Sequence, residues 1–263
     1  MGVVNVTPDS FSDGGQWFDA DRAVAHGTEL AAQGALILDV GGESTRPGAE
    51  PVGEDEELRR VVPVIDGLAA AATGAQISID TAKAQVARAA LAAGATYVND
   101  VTALRGDPAM ADVIAQAGCD CCLMHMQGEP RTMQSRPQYD DVVGEVVAFL
   151  RSRVAAALAA GIAPERIQVD PGIGFGKTLE HNLELLRRLD EVAALGFPVV
   201  VGVSRKAFLG TLTGREAPAA RVAATVAANV LAFERGGRIF RVHDVAATVD
   251  GLRVATASLR ADG

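Results

Sequence analysis

The 263-residue sequence contains no uncharged apolar run as long as the 18 residues of a membrane-spanning helix. Its first ten residues, MGVVNVTPDS, carry no basic opening of a secretory signal, so the expected location is the cytoplasm. Cysteine is scarce. Cys119, Cys121 and Cys122 crowd into AGCDCCLMHM, an odd cluster that makes no disulfide framework and has no CxxC metal or redox spacing. They read as plain buried thiols in a reducing compartment. Basic charge is in deficit, with 24 Lys and Arg against 33 Asp and Glu, a net charge of −9. General affinity for nucleic acid or anionic membrane is thereby excluded, and an anionic ligand needs a local basic pocket. Low-complexity sequence is absent too: 28 glycines and 11 prolines are too few for it, and there is no repeat, linker or domain boundary.

Apolar residues are abundant, 49% against 22% charged, enough for a full core. Short β-prone runs alternate with longer helical stretches throughout. The runs are 2–6 (GVVNV), 35–40 (ALILDV), 75–80 (AQISID), 96–99 (TYVN), 120–125 (DCCLMH), 166–170 (RIQVD), 198–203 (PVVVGV) and 238–243 (RIFRVH). Between them, 21–33, 54–72, 82–93, 139–160, 179–195 and 217–235 carry apolar residues at three- and four-residue spacing and predict helices. Four carboxylates in GEDEE open the second helix, Pro63 is expected to kink it, and Gly34, Gly94, Gly118, Gly161, Gly196 and Gly236 close helices or their turns. Eight βα units in this length predict an α/β fold, a (β/α)8 TIM barrel forming a single domain over 1–263.

Such a barrel places its chemistry at the C-terminal strand ends. Here those ends are polar: Asn5, Asp39, Asp80, Asn99, His125, Asp170, Ser204 with Lys206, and Arg241 with His243. Capping of the next helix explains any one of them, and Asp39 could simply fix the glycine loop that follows it, but capping does not explain the set. The stretches 7–17 (TPDSFSDGGQW) and 41–53 (GGESTRPGAEPVG) are long, lack periodicity and are expected to arch over the barrel mouth. DPGIGFGKT misses the nucleotide P-loop pattern by one position, having Pro171 where the first glycine belongs.

At these rim positions the chain resembles a known family. NVTPDSFSDGG (5–15), DVGGESTRPGA (39–49), SID (78–80), VND (98–100), LMHM (123–126), DPGIGFGKT (170–178), SRKAFLG (204–210) and RVHDV (241–245) are similar, in order, to the motifs of the dihydropteroate synthases. The resemblance covers essentially the whole chain. It implies a transferase that condenses 6-hydroxymethyl-7,8-dihydropterin diphosphate with p-aminobenzoate, releasing diphosphate, by an SN1-like path.

By that resemblance, Asp80, Asn99, Asp170 and Lys206 hold the pterin, with Met124 beside the ring. Arg241, His243, Asn5 and Thr45 form the anion pocket, and Asn5 also reaches a Mg2+ that arrives on the diphosphate. Phe11, Pro47 and Phe175 line the p-aminobenzoate ring. Lys206 and the amides after Ser204 hold its carboxylate, and Asp13 and Arg46 link the two long loops. Asp13, Arg46 and Lys206 are thus the expected catalytic set. Arg205 is equally open to a packing role. His125 reads as support rather than catalyst, and His26 and His181 as ordinary helix residues.

Two departures stand out. Ala207 replaces the serine that often follows the SRK lysine, which predicts weaker p-aminobenzoate affinity, and the chain starts at its first strand where relatives usually have a short preceding segment. The family also implies a homodimer through barrel helices. The apolar segment 222–233 could serve as that interface or be a well-buried helix, and the sequence leaves both open. Two alternatives fit less of the chain. A non-catalytic pterin-binding paralogue would lose the loop and anion residues, and a methyltetrahydrofolate:corrinoid methyltransferase would have no use for TRPG, SRK or RVHDV.

Overall fold

The computed structural model describes residues 1–7, 20–44, 48–129 and 131–260. All eight expected runs form strands: β1 (Gly2–Asn5), β2 (Ile37–Gly41), β3 (Gln76–Asp80), β4 (Tyr97–Asp100), β5 (Asp120–Met124), β6 (Ile167–Asp170), β7 (Val199–Val201) and β8 (Gly237–Phe240). They pair in parallel in chain order. A parallel bridge between Gly2 and Val242, with Val3 N donating to Val242 O at 3.0 Å, closes the sheet into a barrel. Around it run α1 (Ala20–Ala32), α2 (Glu54–Ala71), α3 (Ala84–Ala92), α4 (Met110–Ala117), α5 (Val142–Ala159), α6 (Leu179–Arg187), α7 (Leu189–Ala193), α8 (Ala207–Thr213), α9 (Val222–Glu234) and α10 (Val245–Arg260). The architecture is the expected α/β barrel.

The differences from the sequence expectations are local. The single helix expected over 179–195 is two, because Arg188 leaves helical geometry (φ −112°, ψ 32°) to pair with Glu191 and Asp141. The helix expected from 139 starts at Val142, where the Asp141 carboxylate accepts from Val143 N, and the one expected from 217 opens with a tight turn at Pro218–Arg221. Strand β8 is shorter than the expected run and ends at Phe240, and beyond it Val242 N donates to Met1 O at 2.9 Å in the bridge that closes the barrel. Helix α2 continues through Pro63 to Ala71. All six helix-closing glycines adopt the expected positive φ, from 61° to 113°.

The barrel's radial order follows from the two-residue period of strands. Leu38, Val40, Ile77, Ile79, Val98, Cys121, Leu123, Val169, Val199 and Val201 face outward into the main core shared with the helices. The alternate positions face the barrel axis. Low in the barrel, Tyr97, Cys122 and Val200 cluster against Ile37 and Ile239. One step further along each strand come Asp39, Asp80, Asn99, Met124, Asp170 and Arg241. Strand register sets Gly41 beside Asp80, Asp80 beside Asn99 and Met124 beside Asp170, with Asp39 beside Ser78 and Asn99 beside Cys122. The three thiols are free and buried, and burial pushes Cys119 up to about 11 and Cys121 to about 12, so they stay protonated and inert.

Candidate active site

The inward strand ends form two facing walls over this apolar floor. The first comes from β2, β3 and β4. Asp39, fully buried, accepts hydrogen bonds from Ser78 Oγ at 2.6 Å, Asn99 Nδ2 at 3.1 Å and Arg241 Nε at 2.6 Å. Arg241 Nη2 reaches Asp80 at 2.8 Å, so one guanidinium bridges two carboxylates. Burial raises Asp80 above the ordinary carboxylate range; Arg241 pulls it down, while the neighbouring Asp39 charge adds to the rise. Burial works against the charge of Arg241 as well, but Asp39 and Asp80 outweigh it and hold the guanidinium firmly protonated. Because Asn99 donates to Asp39 through Nδ2, its Oδ1 is left to accept from a ligand.

The second wall comes from β5, β6 and β7. The buried Asp170 accepts from Gly172 N at 2.6 Å. Burial raises its pKa against the opposing charge of Lys206, and burial likewise lowers Lys206 to about 8 while Asp170 resists. Between them stands Gly202, where an added Cβ would lie 3.9 Å from both Asp170 Oδ2 and Lys206 Nζ. The missing side chain keeps that space for a ligand edge. Lys206 Nζ donates to Ile173 O and lies 4.4 Å from the centre of the Phe175 ring. Met124 packs with Val101, Met126, Met133 and Phe175, an apolar shelf beside the carboxylate.

At the junction of the walls, His243 N donates to Ser204 Oγ at 3.1 Å, and that oxygen lies 3.0 Å from His243 Nδ1. When the hydroxyl accepts from the amide and donates to Nδ1, the ring proton sits on Nε2 as a donor. Arg205 (φ 59°) turns to Asp244, held by two hydrogen bonds of 2.6 and 2.9 Å, which is the packing role. Ala207 opens α8 and is exposed.

Of the residues expected from sequence, Asp80, Asn99, Met124, Asp170, Phe175, Ser204, Lys206, Arg241 and His243 lie together at this rim, and Asn5, half-buried, ends β1. Phe11, Asp13, Thr45, Arg46 and Pro47 lie outside the described residues, as does most of 7–17. Arg241, expected to serve the anion pocket, is also part of the carboxylate wall. Asp39 is the residue undervalued from sequence: it anchors the first wall rather than a loop, and its inward parity with Ser78, Asp80 and Asn99 was the available signal. By sequence, Glu57 is one of four carboxylates favoured by a helix dipole. It is fully buried and pairs with Lys83, which also holds Glu43 at the base of the 41–53 segment.

Among the described residues no group of three or more His, Cys, Asp or Glu could hold a metal ion. Among the described residues, the half-buried Asn5 at the end of β1 offers a magnesium ion a carboxamide oxygen, a donor that fits an ion carried in by phosphate oxygens.

A family model described as "Pterin binding enzyme" matches residues 1–243. The chain belongs to the pterin-binding enzyme family. Among its relatives, the dihydropteroate synthase of Neisseria meningitidis serogroup C is 51% identical over 256 residues, covering 96% of this chain and 90% of the relative. The Xanthomonas albilineans dihydropteroate synthase solved with 4-aminobenzoic acid superposes with a TM-score of 0.93 at 53% identity, covering 99% of this chain and 92% of that one. The same enzyme in complex with 7,8-dihydropteroate gives 0.89 at 50% identity, with 99% and 93% covered. In this family member, the two walls stand on a scaffold shared with those enzymes over nearly its full length.

Proposed function

We propose that this chain is a dihydropteroate synthase, joining 6-hydroxymethyl-7,8-dihydropterin diphosphate to p-aminobenzoate. The observation that carries the reading is the gathering of buried carboxylates, a carboxamide and an ammonium at the C-terminal strand ends of one barrel. A pterin's amino-pyrimidinone edge donates and accepts at fixed spacing, and Asp80, Asn99 Oδ1, Asp170 and Lys206 supply the complementary set. Met124 and Phe175 give the flat ring an apolar face.

The reaction breaks the bond between the pterin methylene and the diphosphate oxygen and forms one between that methylene and the arylamine nitrogen, which loses a proton to the medium. The electron-rich pterin stabilises a methylene cation, so no enzyme nucleophile is needed and the SN1-like path rests on positioning and charge. Asp80 and Asp170, on opposite walls, would stabilise the developing cation. Arg241, His243 Nε2 and Asn5 would receive the departing diphosphate, with Thr45. A magnesium ion bound through Asn5 and the phosphates would neutralise the leaving group. Lys206 and the start of α8 would hold the p-aminobenzoate carboxylate above Phe175, with Phe11, Asp13, Arg46 and Pro47 completing that pocket. The test is diphosphate release from the pterin diphosphate: rapid release that gives 7,8-dihydropteroate when p-aminobenzoate is present supports the reading, and no product refutes it.

A cytoplasmic location and a homodimer belong to the same proposal. No described helix is long and apolar enough to cross a membrane. Leu231 of α9 and Val254 and Leu259 of α10 are exposed, apolar surface that a second copy would cover in part. Sedimentation at micromolar concentration tests it.

A further inference from the structure

The segment Pro171 to Lys177, between β6 and α6, has three glycines at positive φ: Gly172 (66°), Gly174 (86°) and Gly176 (63°). Their conformation is enforced by neighbours. A Cβ at Gly172 would fall 1.8 Å from His125 O, and one at Gly176 2.5 Å from Gln127 O. So glycine-rich a segment gains much backbone entropy when released, and something must hold it. What holds it is a set of side chains on consecutive carbonyls. Lys177 Nζ donates to Gly172 O at 2.9 Å and to Phe175 O at 3.0 Å, Lys206 Nζ to Ile173 O, Gln134 Nε2 to Gly174 O, and Tyr139 Oη to Gly176 O at 2.9 Å.

Lys177 is the centre of this arrangement and is 3% exposed. Its third contact is His125 Nδ1 at 2.9 Å, and His125 N in turn donates to Asp170 O at 2.9 Å. Burial, and then the charge of Lys177, lower His125 to about 3, so its ring is neutral and its Nδ1 lone pair faces the amine. Burial lowers Lys177 to about 7, and the three N–H bonds of its ammonium form are each matched by an acceptor, the condition for keeping such a group buried. The two carbonyls it grips flank the stretch that supplies Ile173 O and the Phe175 ring, both of which touch Lys206.

We propose that Lys177 is a positioning residue for the second substrate: by clamping Gly172 O and Phe175 O against His125, it sets where Phe175 and Lys206 meet p-aminobenzoate. The inference rests on the p-aminobenzoate pocket proposed above. It assigns the GKT lysine a role in shaping backbone, not in binding phosphate.

The experiment is steady-state kinetics on the full-length chain with three variants. Lys177→Met keeps the stem and removes the three hydrogen bonds. It should raise KM for p-aminobenzoate about tenfold or more while KM for the pterin diphosphate stays within about twofold. His125→Phe keeps an aromatic ring against Phe149 and removes one partner; it should move the same constant in the same direction, by a few fold. Phe175→Ala is the reference for the pocket. If Phe175→Ala shifts the pterin constant and spares that of p-aminobenzoate, the pocket assignment itself is wrong. If Phe175→Ala behaves as expected but a folded Lys177→Met shifts both constants equally or neither, the positioning role is overturned. A Lys177→Met chain that cannot fold, beside a His125→Phe chain with wild-type constants, would reduce Lys177 to a folding element and overturn it too.

Discussion

The two walls of the barrel mouth are made differently. The β2–β4 wall is a charge lattice, in which one guanidinium and one carboxamide are fastened to a fully buried carboxylate, with side chains gripping side chains. The β5–β7 wall is a shaped backbone, with ammonium and hydroxyl groups gripping carbonyls of a glycine-rich turn. The first holds its groups rigidly but fails if one charge is lost. The second can lose one tether of several and keep its course. A ligand edge that needs fixed donors and acceptors suits the first wall, and a site that must admit and release a second substrate suits the second.

The sharpest break in this contrast is Asp39→Ala. It strips the acceptor from Ser78, Asn99 and Arg241 at once, and losing one partner of a buried ion pair costs about 3 to 5 kcal/mol. Denaturant unfolding should show a loss of that size together with abolished pterin binding, and a variant as stable as wild type would show that the lattice is not the wall's support. Next comes Asp170→Ala, which should leave the fold standing and remove the charged hydrogen bond proposed to the pterin, worth about 1.5 to 3 kcal/mol. Calorimetry should find pterin affinity reduced at least about tenfold, and unchanged affinity would take Asp170 out of the pocket.

A smaller effect separates anion from ring. His243→Ala should weaken binding of the pterin diphosphate and leave an uncharged pterin almost untouched, whereas Arg241→Ala should weaken both, the diphosphate more, because Arg241 also orders Asp80. Equal losses of both ligands in the His243 variant would make that residue part of the pterin wall.

The pH dependence of the second wall follows from Lys206, lowered by burial from 10.5 to about 8. Below about pH 8 both the folded and the unfolded chain carry this proton, and the cost of burying it is fully present. Between about 8 and 10.5 the folded chain sheds it while the unfolded chain keeps it, so this group's contribution to stability rises with pH. The p-aminobenzoate contact moves the other way: its KM should climb as pH passes about 8. Lys206→Met should flatten that climb at a uniformly higher KM. The smallest effect expected is Tyr139→Phe, which removes one of the carbonyl tethers and should cost about 1 kcal/mol in unfolding free energy. A larger loss there would mean that the turn is no more tolerant than the lattice.

Period-two alternation and polar strand ends were readable without coordinates. Eight runs, their order and most of the rim residues follow from local physics, since a strand flanked by helices buries one face in the core and turns the other to the axis. The same parity marked Asp39, yet its three partners come from β3, β4 and the end of β8, up to 202 residues away, and no local pattern states that they meet. Glu57 and Lys177 were hidden for the same reason. Charge at a helix start and a GKT triplet have ordinary local meanings, and only the packing of Lys83 against one and His125 against the other shows that both side chains are held inside the protein. Sequence alone determined the barrel, its handful of inert thiols and the level at which its chemistry stands. Tertiary structure decided which charge neutralises which, because that depends on distances of a few ångströms between strands that the chain visits far apart.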